Sequence, residues 1–134
     1  MEKIIEAKNK ALVLEAFNAA FNQRDEGAYE RYWSPDYIQH SAHIPPGRDG
    51  LRGLIAQCPP DMKYESGLIM AEGDYVMVHG RFTNIGQPKG WVTLDIVRIE
   101  DGLLAEHWDV IQDEVSKAES VSGLPMFGDK FSEV

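Results

Sequence analysis

The first half of the chain carries apolar residues at the spacing of an amphipathic helix. Between residues 3 and 22 they recur at i, i+4, i+7 and i+8, which places them on one helical face because each turn takes about 3.6 residues. These residues are Val13, Phe17, Ala20 and Phe21. Asn22-Gln23-Arg24-Asp25 breaks the pattern first, and proline-containing segments interrupt it further along, because proline cannot continue a helix. The pattern predicts three helices, over residues 3–22, 26–33 and 49–57.

From residue 62 onward the pattern changes to short runs rich in aromatic and β-branched residues. Turn sequences such as Glu72-Gly73-Asp74 and Glu100-Asp101-Gly102 separate these runs, which is typical of β-hairpins. With one short run before the third helix, the chain is predicted to form five strands, over residues 37–41, 62–70, 75–84, 91–100 and 103–112. Helices followed by an antiparallel meander favour an α+β fold, with the helices on one face of a curved sheet. We expect one domain over residues 1–134, with a ligand cavity between the sheet and the helices.

The last two predicted strands can be placed in register from their connecting turn. Glu100-Asp101-Gly102 suits a three-residue hairpin loop with its glycine in the left-handed conformation. Counting outward then pairs Asp95 with His107 and Thr93 with Asp109. Because side chains alternate along a strand, these four residues share one face of the hairpin. The opposite face carries Leu94, Ile96, Trp108 and Val110.

Asp95, His107 and Asp109 are the candidate catalytic residues. A carboxylate beside an imidazole orients the ring and favours its protonated form. Two neighbouring carboxylates titrate apart, which separates an acid from a base. Asp95 also lies in an otherwise nearly continuous apolar strand, where a charge is costly unless it is paired or functional. Two structural alternatives stay open: carboxylates solvated at the sheet edge, or a His107–Asp95 pair without chemistry.

Composition and charge exclude several classes of partner. The 134 residues include 13 Lys+Arg and 22 Asp+Glu, a net charge of −9, which argues against nucleic-acid binding. The single cysteine, Cys58, rules out a disulfide framework and a thiolate metal site. No apolar run reaches the roughly 18 residues of a membrane helix, and the first residues do not resemble a signal peptide. We expect a cytoplasmic protein without membrane partners, and the histidine spacings predict no metal.

Four segments of the chain resemble the SnoaL-like polyketide-cyclase family of the nuclear transport factor 2-like superfamily, and within it the branch named for aldol condensation. The segments are Phe17–Asp25, Pro35–His40, Asp95–Gly102 and Glu106–Gln112. The resemblance covers about residues 8–127, and its most specific part is Glu-His-Trp-Asp-Val-Ile-Gln at the end of the last segment. It implies a cone-shaped α+β fold that encloses a deep pocket and forms homodimers through the outer sheet face. It also implies catalysis without metal or cofactor, in which an acidic residue moves a proton next to a carbonyl.

The chain departs from two better-defined members of the superfamily. Ketosteroid isomerases have a tyrosine in the first helix where this chain has Phe17, and an aspartate where it has Gln39-His40-Ser41. Steroid isomerisation is therefore disfavoured, although Asp95 resembles their acidic oxyanion donor on the same strand. Epoxide hydrolases pair that aspartate with an arginine, and the equivalent residue here is Thr93.

We therefore expect a cofactor-independent enzyme that moves a proton next to the carbonyl of a small hydrophobic compound, for aldol condensation, cyclisation or isomerisation. Asp109 would be the general base or acid, His107 its partner, and Asp95 a second acid that orients His107 or donates to an enolate oxygen. The expected substrate-binding residues are His40, Phe17, Trp33, Phe82, Trp91 and His79. The alternative is a noncatalytic module on the same fold that binds a small ligand or serves as a dimer scaffold.

Two of the histidines carry alternatives of their own. His40 could instead be a strand-end residue bonded to loop backbone. His79 alternates with apolar residues of its strand, so it lies on the outer face if Val78 and Phe82 face the pocket.

Overall fold

The computed structural model describes residues 4–132. Its helical segments come first, apart from one strand between the second and third helices. They are α1 (Ile4–Phe17), a π-helical turn (Asn18–Asn22), α2 (Ala28–Tyr32) and α3 (Gly47–Gln57). No helix in this range is long and apolar enough to cross a membrane.

The helix boundaries differ from the predicted ones by one or two residues, since α2 begins at Ala28 and not at residue 26, and α3 begins at Gly47 and not at residue 49. The predicted helix over 3–22 is α1 together with the π-helical turn, and its first residue lies outside the described range. The predicted helix over 26–33 ends early, because Trp33 is already extended, with φ −100° and ψ 139°. Pro35 favours this early end, since the residue before a proline avoids helical conformation.

Five strands form one sheet behind the helices. The strands are β1 (Trp33–Gln39), β2 (Lys63–Glu72), β3 (Tyr75–Thr83), β4 (Trp91–Glu100) and β5 (Leu103–Asp113). Their order is β1-β5-β4-β3-β2, in which β2 to β5 form an antiparallel meander and β1 pairs with β5 in parallel. The predicted α+β fold with an antiparallel-rich sheet is confirmed, although β1 starts four residues earlier than predicted.

The core lies between α1, α2 and the inner face of the sheet. Val13 of α1 and Trp33 of β1 are almost fully buried there, together with Val76, Val78 and Val97 of the central strands. Full burial of such side chains stabilises the fold by about 1.5–3 kcal/mol each. Because α1 packs against β2 and β3, the helix forms one wall of the space above the sheet.

The turn between β4 and β5 corrects the predicted register. Asp101 (φ 54°) and Gly102 (φ 74°) both have positive φ, which identifies a two-residue type I′ turn and pairs Glu100 with Leu103. The register then shifts between Arg98 and Ile99, so that one residue of β5 is left unpaired. The predicted three-residue loop is therefore wrong.

The consequence is a register shift of two residues beyond the bulge. Asp95 pairs with Asp109, where the prediction paired Asp95 with His107. A shift of two residues preserves the face of every side chain, because side chains alternate with a period of two. The hairpin therefore still carries Asp95, His107 and Asp109 on its inner face.

Candidate active site

A cavity of about 110 Å³ lies between the inner face of the sheet and the helices. Its volume suffices for a small organic molecule, since one water needs about 10–15 Å³ by the same measure. Most of the wall is apolar and includes Phe17, Phe21, Trp33, Leu51, Phe82 and Trp91. The polar lining includes Gln39, Thr93, Asp95, His107 and Asp109, which β1, β4 and β5 contribute.

Asp95 and His107 form a buried pair in this wall. His107 Nε2 lies 2.7 Å from Asp95 Oδ1, and Thr93 Oγ1 donates a hydrogen bond of 3.0 Å to Asp95 Oδ2. The His107 and Asp95 side chains are each 7 % exposed. Solvated carboxylates at a sheet edge are thereby excluded as an interpretation of Asp95, because both of its oxygens bind protein groups.

Asp109 lies beside this pair without joining it closely. Its Oδ2 is 4.0 Å from His107 Nε2, and its side chain is 5 % exposed. Burial raises the pKa of the Asp109 carboxyl, hydrogen bonding from Ser41 and the charges of His107 and His43 lower it, and the neighbouring Asp95 raises it further. The net effect is a raised pKa, so Asp109 holds a proton more readily than an exposed aspartate.

Gln39 binds the other nitrogen of the His107 ring. Its Oε1 lies 2.6 Å from His107 Nδ1 and also accepts a hydrogen bond of 2.9 Å from the Ser41 backbone N–H. Its Nε2 donates to Tyr37 Oη at 3.0 Å. The parallel pairing of β1 with β5 brings these groups together, because Gln39 and His107 are direct partners in the register.

Gln39 is a site residue that the sequence did not predict. Tyr37 is buried and Ile38 is 46 % exposed, so the side chains of β1 alternate as in any strand. This alternation puts Gln39 on the same inner face as Tyr37 and His40 on the opposite face. Because Tyr37 and Ile38 are both apolar, the sequence alone does not show which of the two faces inward.

His40 is therefore a correction, since it does not line the cavity. Its Nε2 lies 2.7 Å from Glu106 Oε2, and its ring stacks on Trp108 with centroids 4.8 Å apart. Glu106 also accepts a hydrogen bond from Arg98 Nε at 2.9 Å. His40 thus belongs to a polar network on the outer face of the sheet.

His79 likewise lies on the outer face of the sheet and not in the cavity. Its ring packs against Phe127, with centroids 5.3 Å apart, and Phe127 itself lies over Gly67 of β2. Val78 and Phe82 of the same strand point inward, which is the alternation that places His79 outside. The remaining predicted binding residues, Phe17, Trp33, Phe82 and Trp91, all line the cavity.

The three titratable groups also include the donor types of a metal site. One ligand atom each of Asp95, His107 and Asp109 lies within 4.8 Å of the others. Two atoms that bind one tetrahedral Zn²⁺ at about 2.0–2.1 Å are separated by about 3.4 Å. The 2.7 Å between His107 Nε2 and Asp95 Oδ1 is a hydrogen-bond distance instead. The residues as placed fit a hydrogen-bonded cluster and not a metal centre.

Comparison with solved structures finds the same fold in several bacterial proteins. AclR of Streptomyces galilaeus, a candidate hydroxylase, is 30 % identical with a TM-score of 0.66, and the match covers 80 % of this chain and 90 % of AclR. A candidate SnoaL-like polyketide cyclase from Jannaschia sp. CCS1 is 17 % identical, with a TM-score of 0.71 and coverage of 84 % and 90 %. A candidate ketosteroid isomerase from Kribbella flavida is 16 % identical, with a TM-score of 0.73 and coverage of 95 % and 97 %.

Comparison with protein families gives the same result from the sequence. No match was found among curated proteins. The family described as the SnoaL-like domain matches residues 14–107, which contain the cavity helices, Asp95 and His107. Together with the nuclear transport factor 2-like fold, this match confirms the resemblance stated above, and the chain belongs to the SnoaL-like domain family.

Proposed function

We propose that this protein is a cofactor-independent enzyme that moves a proton next to the carbonyl group of a small hydrophobic ligand. The observation that carries the proposal is the placement of Asp109 in an apolar cavity, beside the hydrogen-bonded pair of Asp95 and His107. The family supports an enzyme-like function of this kind at a coarse level. The reaction and its substrate class are inferences from the chemistry of the cavity.

Asp109 has the properties that a general base for a carbon acid needs. Its raised pKa brings it closer to neutral pH than an exposed aspartate, which strengthens it as a proton acceptor. Among the described residues, its neighbours are Ser41, His107, His43 and the second carboxylate, Asp95. Asp109 also lines the cavity, where a ligand can reach its carboxylate.

The reaction would proceed in two proton movements. Asp109 takes a proton from the carbon next to the carbonyl, the C–H electron pair moves toward the carbonyl oxygen, and an enolate forms. The Asp95–His107 pair lies 4.0 Å away on the same wall and donates a hydrogen bond to the developing oxygen. In a condensation the enolate carbon attacks a second carbonyl, and Asp109 gives its proton to the alkoxide that forms. In an isomerisation Asp109 gives the same proton to another carbon of the enolate.

The cavity wall indicates the class of ligand. Aromatic side chains from α1, β1, β3 and β4 line it, so a ligand with flat apolar surface would bury most of its area there. The polar groups lie on one side only, which would orient a single carbonyl toward β4 and β5. A small aromatic or alicyclic ketone fits this division.

The outer face of the sheet supports a homodimer. Met70, Met77 and Val110 of this face are 61 %, 39 % and 67 % exposed, and Tyr75 is 47 % exposed. Several large exposed apolar side chains on one sheet face are typical of an interface. A two-fold dimer would bury the patch against its own copy.

Exchange of α-protons in D₂O tests the proposed activity without knowledge of the natural product. A panel of small ketones is incubated with the protein, and deuterium incorporation is followed by NMR. We expect the wild type to incorporate deuterium faster than buffer alone does. The Asp109→Asn substitution should lower this exchange rate by about 10²–10⁴-fold and leave the affinity for the ketone unchanged. Asp113→Asn is the matched control, because Asp113 is an exposed aspartate on the same strand.

Two outcomes would contradict the proposal. If the wild type binds ketones without exchanging their protons, the protein is a binding module. If Asp109→Asn exchanges protons at the wild-type rate, Asp109 is not the base.

A further inference from the structure

The amide of Gln39 has a fixed orientation. The Ser41 backbone N–H can only donate, so the Gln39 atom that it meets at 2.9 Å must be the oxygen. The amide nitrogen then faces Tyr37 Oη at 3.0 Å, where it can donate. A flipped amide would place an NH₂ group against the Ser41 N–H, two donors facing each other in a buried site.

This orientation determines the tautomer of His107. Gln39 Oε1 lies 2.6 Å from His107 Nδ1, and an amide oxygen accepts hydrogen bonds but cannot donate them. Nδ1 must therefore carry a proton. The bond between Nε2 and Asp95 Oδ1, at 2.7 Å, then contains one further proton, which resides on Nε2 or on the carboxyl.

We infer that Gln39 is a positioning residue that keeps one transferable proton in the Asp95–His107 pair. The inference rests on the proposed function and separates the roles of the two aspartates. Either location of the shared proton leaves the pair with no net charge, so the pair acts as the acid and Asp109 as the base. When the pair gives its proton to an enolate oxygen, neutral His107 and the Asp95 carboxylate remain, and the pair takes that proton back when the carbonyl of the product forms again.

Without Gln39 the same ring would have a different ground state. An imidazole beside a carboxylate donates one N–H to it, and its second nitrogen can then stay unprotonated. His107 would carry its proton on Nε2 alone, and Nδ1 would be bare. The Asp95 carboxylate would then bind the only ring proton in a static hydrogen bond.

Other titratable groups face the pair from the surrounding elements. They are Tyr37 of β1, His43 of the following loop, Tyr64 of β2 and Asp109 of β5. Burial raises the pKa of both tyrosines, so each keeps its proton at neutral pH. The remaining titratable groups around the pair are Asp109 and His43, of which His43 acts on the Asp109 carboxyl.

Nitrogen NMR of the histidine rings tests the inference directly. In protein labelled with ¹⁵N-histidine, the His107 signals are assigned by their loss in His107→Asn. We expect the wild type to show a protonated Nδ1 from about pH 5 to 8, the range in which an ordinary histidine titrates. Gln39→Leu should show an unprotonated Nδ1, whereas Gln39→Glu, which keeps an acceptor oxygen, should restore its proton.

Controls and kinetics separate this inference from the proposed function. Gln87→Leu removes the other glutamine of the cavity wall and should leave the His107 signals unchanged. In the ketone-exchange assay, Gln39→Leu should lower kcat by about 10²-fold with KM little changed, because an acid is lost and not a binding contact.

Three results would overturn the inference. The first is an unprotonated Nδ1 of His107 in the wild type. The second is an unchanged His107 tautomer in a Gln39→Leu protein whose other histidine signals show that it is folded. The third is a change of the His107 tautomer in Gln87→Leu. If the protein exchanges the α-protons of no ketone, the proposed function is wrong. The tautomer of His107 is still decided by the NMR measurement, which does not depend on activity.

Discussion

Gly80 of β3 leaves room for the ring of Tyr64 from β2, which packs against aromatic residues of the cavity wall. A Cβ built on Gly80 would lie 2.6 Å from Cε1, 2.7 Å from Oη and 2.9 Å from Cζ of Tyr64. Tyr64 cannot move away freely, because its ring packs against Phe82, Phe17 and Phe21 with centroids 4.7, 5.6 and 5.7 Å apart. The Gly80→Ala substitution therefore forces the cluster to shift.

Two opposing contributions set the size of the effect. Alanine in place of a strand glycine stabilises by about 0.5–1 kcal/mol through backbone entropy. Overpacking a closed core costs about 1–3 kcal/mol. We expect the second to dominate, with a net loss of about 1–2 kcal/mol and a Tm lower by about 3–10 °C.

Thermal and urea unfolding followed by circular dichroism measure this change. Gly53→Ala is the matched control, because a Cβ there meets nothing within 4 Å and the residue lies inside α3. It should stabilise by about 0.5–1 kcal/mol. In a Tyr64→Val background, Gly80→Ala should lose its penalty. A Gly80→Ala protein as stable as the wild type would refute the reasoning.

Three further predictions concern the buried charges and the outer face. Asp109→Asn should raise Tm at pH 7 but not near pH 3.8, because folding raises the pKa of the Asp109 carboxyl and so costs stability at any pH where this carboxyl is ionised in the unfolded chain. A variant whose Tm is below that of the wild type and falls further below it as the pH rises would contradict this. Arg81→Met should lower the free energy of unfolding in urea by about 3–5 kcal/mol, since it leaves Glu114 buried without its partner at 2.7 Å. The double variant with Glu114→Met should recover most of this loss, and equal losses in the single and double variants would argue against the reasoning. Val110→Glu should convert a dimer to a monomer in light scattering at micromolar concentration, and a monomeric wild type would exclude the dimer.

The inner face of the β4–β5 hairpin could be predicted from the sequence because it depends on alternation alone. The predicted register was wrong by two residues, since Asp101-Gly102 forms the two-residue turn that this dipeptide favours and a bulge follows it. An even shift leaves every side chain on its face. The sequence does not predict the bulge. In the structure the bulge interrupts the alternation of side chains, so that the neighbouring residues Leu104 and Ala105 are both buried.

The role of β1 could be predicted only in part. Its parallel pairing with β5 joins Gln39 to His107 across 68 residues of chain, and no local pattern encodes such a contact. Strand alternation predicts that Gln39 and His40 lie on opposite faces. Which of them faces inward depends on the burial of Tyr37 over Ile38, and both of these residues are apolar in the sequence.

The arrangement of the three titratable groups supports the proposed function over a structural ion pair. A pair made only for stability would be complete with His107, Asp95 and the Thr93 hydroxyl, which together satisfy both carboxylate oxygens. Asp109 adds a second buried carboxyl whose pKa burial and Asp95 raise, so its ionisation costs the fold free energy. A residue that weakens the fold while it faces a ligand-sized apolar cavity supports the acid–base role proposed for Asp109.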